Sequence, residues 1–402
     1  MSKSWNRMET WIALVVLGVG GLLAAVAGLH VYTTATAIKW HPEATRVPSV
    51  SQEDTSPRWT EAVERARQAV RVGMSEQNLP GVSVAVGVDG APVWAEGFGF
   101  ADVDSRTGVT PATRFLIGTT SIPLTSAAAA LLLDQGRLTL DERIQTYVPE
   151  FAEAMRPTTT LRHVMGHMAG FHTDGGDENP LLGTHCARPV EALPVFGSAD
   201  DKVEPGSLFR FSPYGWILVS AAIETAAHDS FDRVMRARVF EPLGMTSTLV
   251  AGAAEPKTDR ATDYFPRYAA DPRYGLHDLR EIDLSCYAGA SAFVSTPSDL
   301  VRFALALNAG TLLKPDTVRL LQTPQRLTSG EETGYGLGWD LETVTLAGKP
   351  TIVVGHDGDI LGGQVSSLMI VRDRGLVVAV TSNIAYAKTA AIAASVADAF
   401  MR

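Results

Sequence analysis

The chain has 402 residues, 46% of them hydrophobic, which is enough for a sizeable core in one large domain or two ordinary ones and excludes a disordered or collagen-like chain. Its 34 Lys and Arg against 44 Asp and Glu give a formal charge of -10, so no basic field exists to hold a phosphate backbone, and nucleic acid is not an expected partner. Two cysteines, Cys186 and Cys286, are too few for a thiolate zinc knuckle or a disulfide scaffold, but they leave room for one disulfide if their loops meet in an oxidising compartment.

The first segment bears on compartment. From Trp11 to Leu29 no side chain is charged, and about 28 Å of helix matches a bilayer core. Lys3 and Arg7 precede the run, opposed by Glu9, and the next Lys or Arg is Lys39. This bias keeps the N-terminus in the cytoplasm and places the remainder on the periplasmic or extracellular side. Residues 1–32 therefore read as a single-pass anchor. The alternative is a cleaved signal peptide with Ala25-Val26-Ala27 as its cut site. Residues 33–57, rich in Pro, Ser and Thr, read as a flexible tether, and 58–402 as the folded domain.

Apolar Ala62, Ala66, Val70 and Met74 recur at helical spacing between Trp59 and Asn78. Two strand-like runs follow, VSVAVGV and PVWAEGFGF, joined at Asp89-Gly90, a favoured two-residue turn. The far end mirrors this pattern: VTLA, a turn at Gly348-Lys349, PTIVVGH, QVSSLMIV and GLVVAVTSN, closed by an Ala-rich helical stretch from Tyr386 to Arg402. The middle is mostly helical. The two ends, 58–118 and 335–402, should therefore pair into one antiparallel sheet carrying an inserted helical region over about 119–334.

In this order stand Phe115-Leu116-Ile117-Gly118, DQGRLTLDERIQTYVPEF, TLRHVMGHMAGF, FSPYGWILVSAAIE, FEPLGMTST, GASAFVSTPSDLVRF, YGLGW, GHDGD and VVAVTSN. Together they resemble the class C beta-lactamase and penicillin-binding-protein family of serine hydrolases over about Trp59 to Arg402. The resemblance implies an α/β (α+β) fold, a beta-lactamase/transpeptidase-like three-layer sandwich with the cleft between sheet and helical region. It also implies hydrolysis of an ester, an amide or a cell-wall peptide through an acyl-enzyme, with no cofactor. A Ser at a helix N-terminus would attack, the Lys of S-x-x-K would take its proton, the Tyr of Y-x-N would assist, and backbone N–H groups would hold the oxyanion.

The sequence departs from that pattern. F-x-x-G places Thr119 at the nucleophile and Ile122 at the lysine, and Y-x-N reads Phe211-Ser212-Pro213; the third motif survives as His356-Asp357-Gly358. A Thr119–His356 dyad is the candidate catalytic pair, because Thr can attack when a base adjoins it and His titrates near neutrality. Thr119, Gly358, Asp359, Ile122, Phe211, Ser212 and Tyr214 are expected to line the oxyanion site and cleft. The alternative is a catalytically silent relative that keeps the cleft for a small-molecule or cell-wall-derived ligand or a protein partner. His163 and His167 stand four apart, with His172 and Asp174 beyond, but the family carries such histidines without a metal, and no metal is assigned.

Overall fold

The structure is a computed structural model that describes residues 2–52, 56–151, 158–171, 181, 184–196, 203–251, 259–279, 282–360 and 363–402. The acidic stretch 173–178, with His172 and Asp174, lies outside the described residues.

An antiparallel sheet organises the domain. Its strands are β1 (Ser49–Ser51), β2 (Gly81–Val88), β3 (Ala91–Asp102) and β4 (Thr107–Gly108) from the N-terminal side, and β10 (Asp340–Leu346), β11 (Lys349–Ile360), β12 (Gln364–Val371) and β13 (Leu376–Ser382) from the C-terminal side. The order is β1-β3-β2-β13-β12-β11-β10, with β4 beside β3, so β2 and β13 join the two ends of the chain. The period of two sorts the side chains: Val84, Val378 and Val380 enter one core and Ala85, Val377 and Ala379 the other. The first core lies under helix α2 (Thr60–Gln77) and the helix Thr389–Met401. The second is filled by helix α3 (Ser121–Asp134) and the helices Pro213–Ala227 and Pro297–Asn308. This is the three-layer arrangement expected, and α3 is apolar nearly all round because it is buried nearly all round.

Some details match the sequence reading and others differ. The β2–β3 turn has Asp89 and Gly90 at positive φ, as the Asp-Gly pair requires. The β10–β11 turn is Ala347-Gly348, one residue earlier than expected, because Leu346 pairs with Lys349 and is thereby buried. Two smaller sheets accompany the helical region: a three-stranded one in which β5 (Phe115–Leu116), just before that region, pairs with β9 (Phe293–Ser295) and β9 with β6 (Leu249–Val250), and a hairpin of β7 (Tyr264–Pro266) with β8 (Leu276–Asp278). A disulfide joins Cys186 to Cys286 with their Cα atoms 4.8 Å apart.

Helix α1 (Ser2–Thr36) holds the stretch Trp11–Thr36, long and apolar enough to cross a membrane and packed against nothing over most of that length. The segment after it, expected as a free spacer, lies along the domain where it is described. Trp40 N–H donates to Asn78 Oδ1 at 2.9 Å, buried His41 stacks on Phe100 at 5.6 Å, and β1 pairs with residues 96–98 of β3.

Candidate functional site

Strand β11 outruns its outer neighbour. β10 pairs with it only as far as Asp340 opposite Gly355, so residues 356–360 keep β12 on one side and present an open edge on the other. Against that edge sits the tight turn Gly118–Thr120 that leads into α3. Gly118 has φ +51, and a Cβ there would come within 2.8 Å of the Asp359 carbonyl oxygen, so only glycine lets the turn reach the strand. A side chain on Gly358 would run into the Ile117 carbonyl from the opposite direction.

This contact fixes the hydroxyls. Thr119 stands partly exposed, and its Oγ1 donates to the Asp357 carbonyl at 3.0 Å. Thr120 is buried and donates to the His356 carbonyl at 3.1 Å, with Ser366 Oγ 2.8 Å from its hydroxyl. Ser121 is buried too, its Oγ accepting from Phe293 N–H at 3.2 Å. Ile122, one turn beyond Thr119, has no exposed surface and belongs to the apolar core.

The His356 ring is held at both nitrogens. Nδ1 lies 2.6 Å from the Asp357 carbonyl, which can only accept, so the proton sits on Nδ1; Nε2 then accepts from Tyr335 Oη at 3.0 Å. Burial pushes the His356 pKa down to about 4, so the ring is neutral at neutral pH. Asp340 Oδ2 lies 3.9 Å from Nδ1, and desolvation, with the charge of Asp357 adding to it, raises the Asp340 pKa to about 7. Burial, then the Asp340 charge, moves the Tyr335 phenol well above its ordinary value.

Behind this pair stands a second buried imidazole. Ser212 N–H donates to His167 Nδ1 at 3.1 Å, which leaves the proton on Nε2, an atom without a hydrogen-bond partner among the described residues. The His167 ring lies 4.4 Å from Phe211 and 4.7 Å from Tyr335. Burial first and His356 second drive its pKa well below the usual value. The meeting of His167 with Tyr335 and His356 is not legible in the sequence: the TLRHVMGHMAGF and YGLGW blocks carry His167 and Tyr335, but nothing local brings them together. His163 does not share a helix face with His167. It closes a capping box with Thr160 on the short helix Leu161–Met165, and His167 follows that helix at φ +57. Among the described residues no three potential metal ligands converge.

The expected cleft residues thus divide. Thr119, Gly358, the exposed Asp359, Phe211 and His356 gather around the β11 edge, with the Phe211 ring 6.0 Å from His356. Tyr214, Ile122 and the Ser212 side chain are withdrawn into the interior, so as placed they offer a ligand no surface. Chemically, the Thr119 hydroxyl faces a carbonyl, which accepts a hydrogen bond but cannot take the proton.

The sequence model of the beta-lactamase family matches residues 66–400. The human (Homo sapiens) mitochondrial serine beta-lactamase-like protein LACTB is 24% identical over 77% of this chain and 72% of its own length. Penicillin-binding protein 4 of Amycolatopsis lactamdurans is 27% identical over 77% of this chain and 82% of its own. Among solved structures, the D-amino acid amidase of Ochrobactrum anthropi SV3, complexed with L-phenylalanine amide, superposes with a TM-score of 0.72 at 24% identity, covering 85% of this chain and 98% of the amidase. From α2 to the last helix, in sequence and in fold, the chain belongs to the beta-lactamase family.

Proposed function

We propose that this protein is a membrane-anchored, exported member of the family that uses the retained cleft to bind a small-molecule or cell-wall-derived ligand and no longer turns it over through an acyl-enzyme. Ile122 carries the reading: a fully buried aliphatic side chain occupies the place of the amine that would accept the nucleophile's proton. Phe211 in place of the assisting phenol, and a His356 ring engaged at both nitrogens, support it. In a comparable hydrolase, loss of the nucleophile or its base costs on the order of a million-fold in turnover, while oxyanion hole and binding keep roughly a thousandfold over water. The excess of Lys and Arg before the apolar run supports a cytoplasmic N-terminus and an exported domain.

A second reading, slow acylation of Thr119, has one observation in its favour. The Thr119 hydroxyl and His356 Nδ1 share the Asp357 carbonyl oxygen as acceptor, so the candidate nucleophile and base are gathered around one atom. The test is intact-mass analysis after exposure to an activated ester, a penicillin and a fluorophosphonate, with Thr119→Ala as control. The proposal expects no adduct and equal ester turnover in both proteins; an adduct that the control abolishes establishes the second reading instead.

A further inference from the structure

Helix α1 is seated on the domain at one place. The His30 ring lies 5.4 Å from Tyr274 and 6.2 Å from Tyr268, Thr33 is buried, and Arg267 donates to Thr36 at 3.2 Å to the carbonyl and 3.0 Å to the hydroxyl. Just past the helix, Asn78 Nδ2 bridges the Ile38 and Pro272 carbonyls at 3.0 and 3.3 Å. Every domain residue in these contacts except Asn78 belongs to the segment linking β7 to β8.

The depth of that segment follows from the helix. The large apolar side chains of α1 between Trp11 and Val31 are exposed, and a bilayer is the surrounding that suits a helix apolar on all sides. The apolar run stops at Leu29, so His30 and Tyr32 fall at the headgroup level where aromatic belts sit, and the side chains packed on them fall there too.

The segment has the character of such a layer. Its tip is a four-residue turn closed by Asp271 N–H to Tyr268 O at 3.2 Å, with exposed Ala269 and Ala270 both at positive φ. That geometry ordinarily recruits Asn-Gly, which suits water; here it presents two methyl groups. Arg273 pairs with Asp271, the one acid in 267–275, and Arg267 and Lys388 lie close by.

We propose that residues 267–275 form a membrane seat: they rest in the lipid headgroup layer beside the exit of α1 and hold the domain on the bilayer in one orientation. This rests on the reading of α1 as a retained anchor. The opposite end of the same hairpin touches the β11–β12 turn, where Gly363 lies against Tyr264 and Leu279. Three-residue strands of about 10 Å therefore separate the seat from the rim of the cleft, and the seat sets how far above the lipid the cleft opens.

Single-cysteine labelling tests this on the full chain, since both native cysteines are joined. Ala269→Cys, Arg273→Cys, Leu17→Cys and Ser329→Cys are each labelled with an environment-sensitive fluorophore. The proteins are placed in phosphatidylcholine–phosphatidylglycerol vesicles carrying nitroxide lipids. Headgroup nitroxide is expected to quench the probes at 269 and 273 several-fold more than the one at 329 on the helical region, and acyl-chain nitroxide to quench the one at 17. Arg273→Cys keeps both alanines of the turn and the backbone Arg273 N–H bond to Asp271, so its result stands if labelling at 269 disturbs the fold. Quenching at 17 with no excess at 273 over 329 overturns the seat and leaves the anchor; absence of quenching at 17 removes the anchor and the seat with it.

Discussion

Thr119 and His356 hydrogen-bond the same atom. The Asp357 carbonyl receives the Thr119 hydroxyl at 3.0 Å and His356 Nδ1–H at 2.6 Å, so the two groups expected to act as nucleophile and base meet as two donors to one acceptor. Tyr335 fixes that arrangement by donating to Nε2. Tyr335→Phe should therefore leave a buried imidazole nitrogen unpaired and lower stability by about 1–3 kcal/mol, read from the denaturant midpoint. A variant as stable as the parent would mean that Nε2 finds another donor and that Tyr335 does not enforce the Nδ1–H tautomer.

The apolar character of the old lysine position can be tested directly. Ile122→Lys puts an ammonium where the parent has no exposed surface, and the cost should be on the order of 3 kcal/mol or more, whereas Ile122→Val should cost about 1 kcal/mol. Ester turnover should not rise in Ile122→Lys, because Phe211 still supplies no hydroxyl. If Ile122→Lys melts with the parent, the site holds polar space and the argument for lost chemistry weakens.

Which parts of this were legible in the sequence depends on range. Val-rich runs and the Asp89-Gly90 turn expose the main sheet because period-two burial and turn chemistry are local. β5, β6 and β9 escape notice because two or three residues carry no period. The stretch containing His41 and β1 reads as spacer because its partners, Phe100 and residues 96–98, lie far along the chain. At the site, motif spacing located Thr119, Ile122, Phe211 and His356. The burial of Tyr214, and the meeting of Tyr335 with His356 and of His167 with Ser212, are tertiary events without local signature.

Opposing titrations should meet at this site. The folded-state pKa of His356, about 4, lies below the unfolded 6.5. The unfolded chain therefore binds its proton more readily, and this contribution is present above pH 6.5 and lost as pH falls towards 4. For a ring this buried it is on the order of 3 kcal/mol. Asp340, raised from 3.8 to about 7, has the opposite sign: its contribution is present at low pH and lost as pH rises through 7. Its side chain keeps 39% of its surface exposed, so screening makes that contribution the smaller one. Asp340→Asn removes the opposing titration, and stability between pH 6.5 and 4 should then fall more steeply with acid than in the parent. Denaturant midpoints measured across that range decide it; parallel curves would show that the carboxyl does not titrate there.

The disulfide should matter more than its position on two loops suggests. Cys186 and Cys286 are 100 residues apart in sequence, so the bond restricts a long stretch of the unfolded chain, and its loss should cost about 2–4 kcal/mol. Those 100 residues include the helix Pro213–Ala227, which packs against the core beside α3, and the bond sits just before the short helix Ala288–Ser291 that precedes β9. Reduction should therefore lower the melting temperature of the whole domain in one transition. Cys186→Ser with Cys286→Ser should reproduce the reduced protein and respond no further to reductant. A separate early transition on reduction, with the main one unmoved, would mean that these loops unfold independently of the sheet.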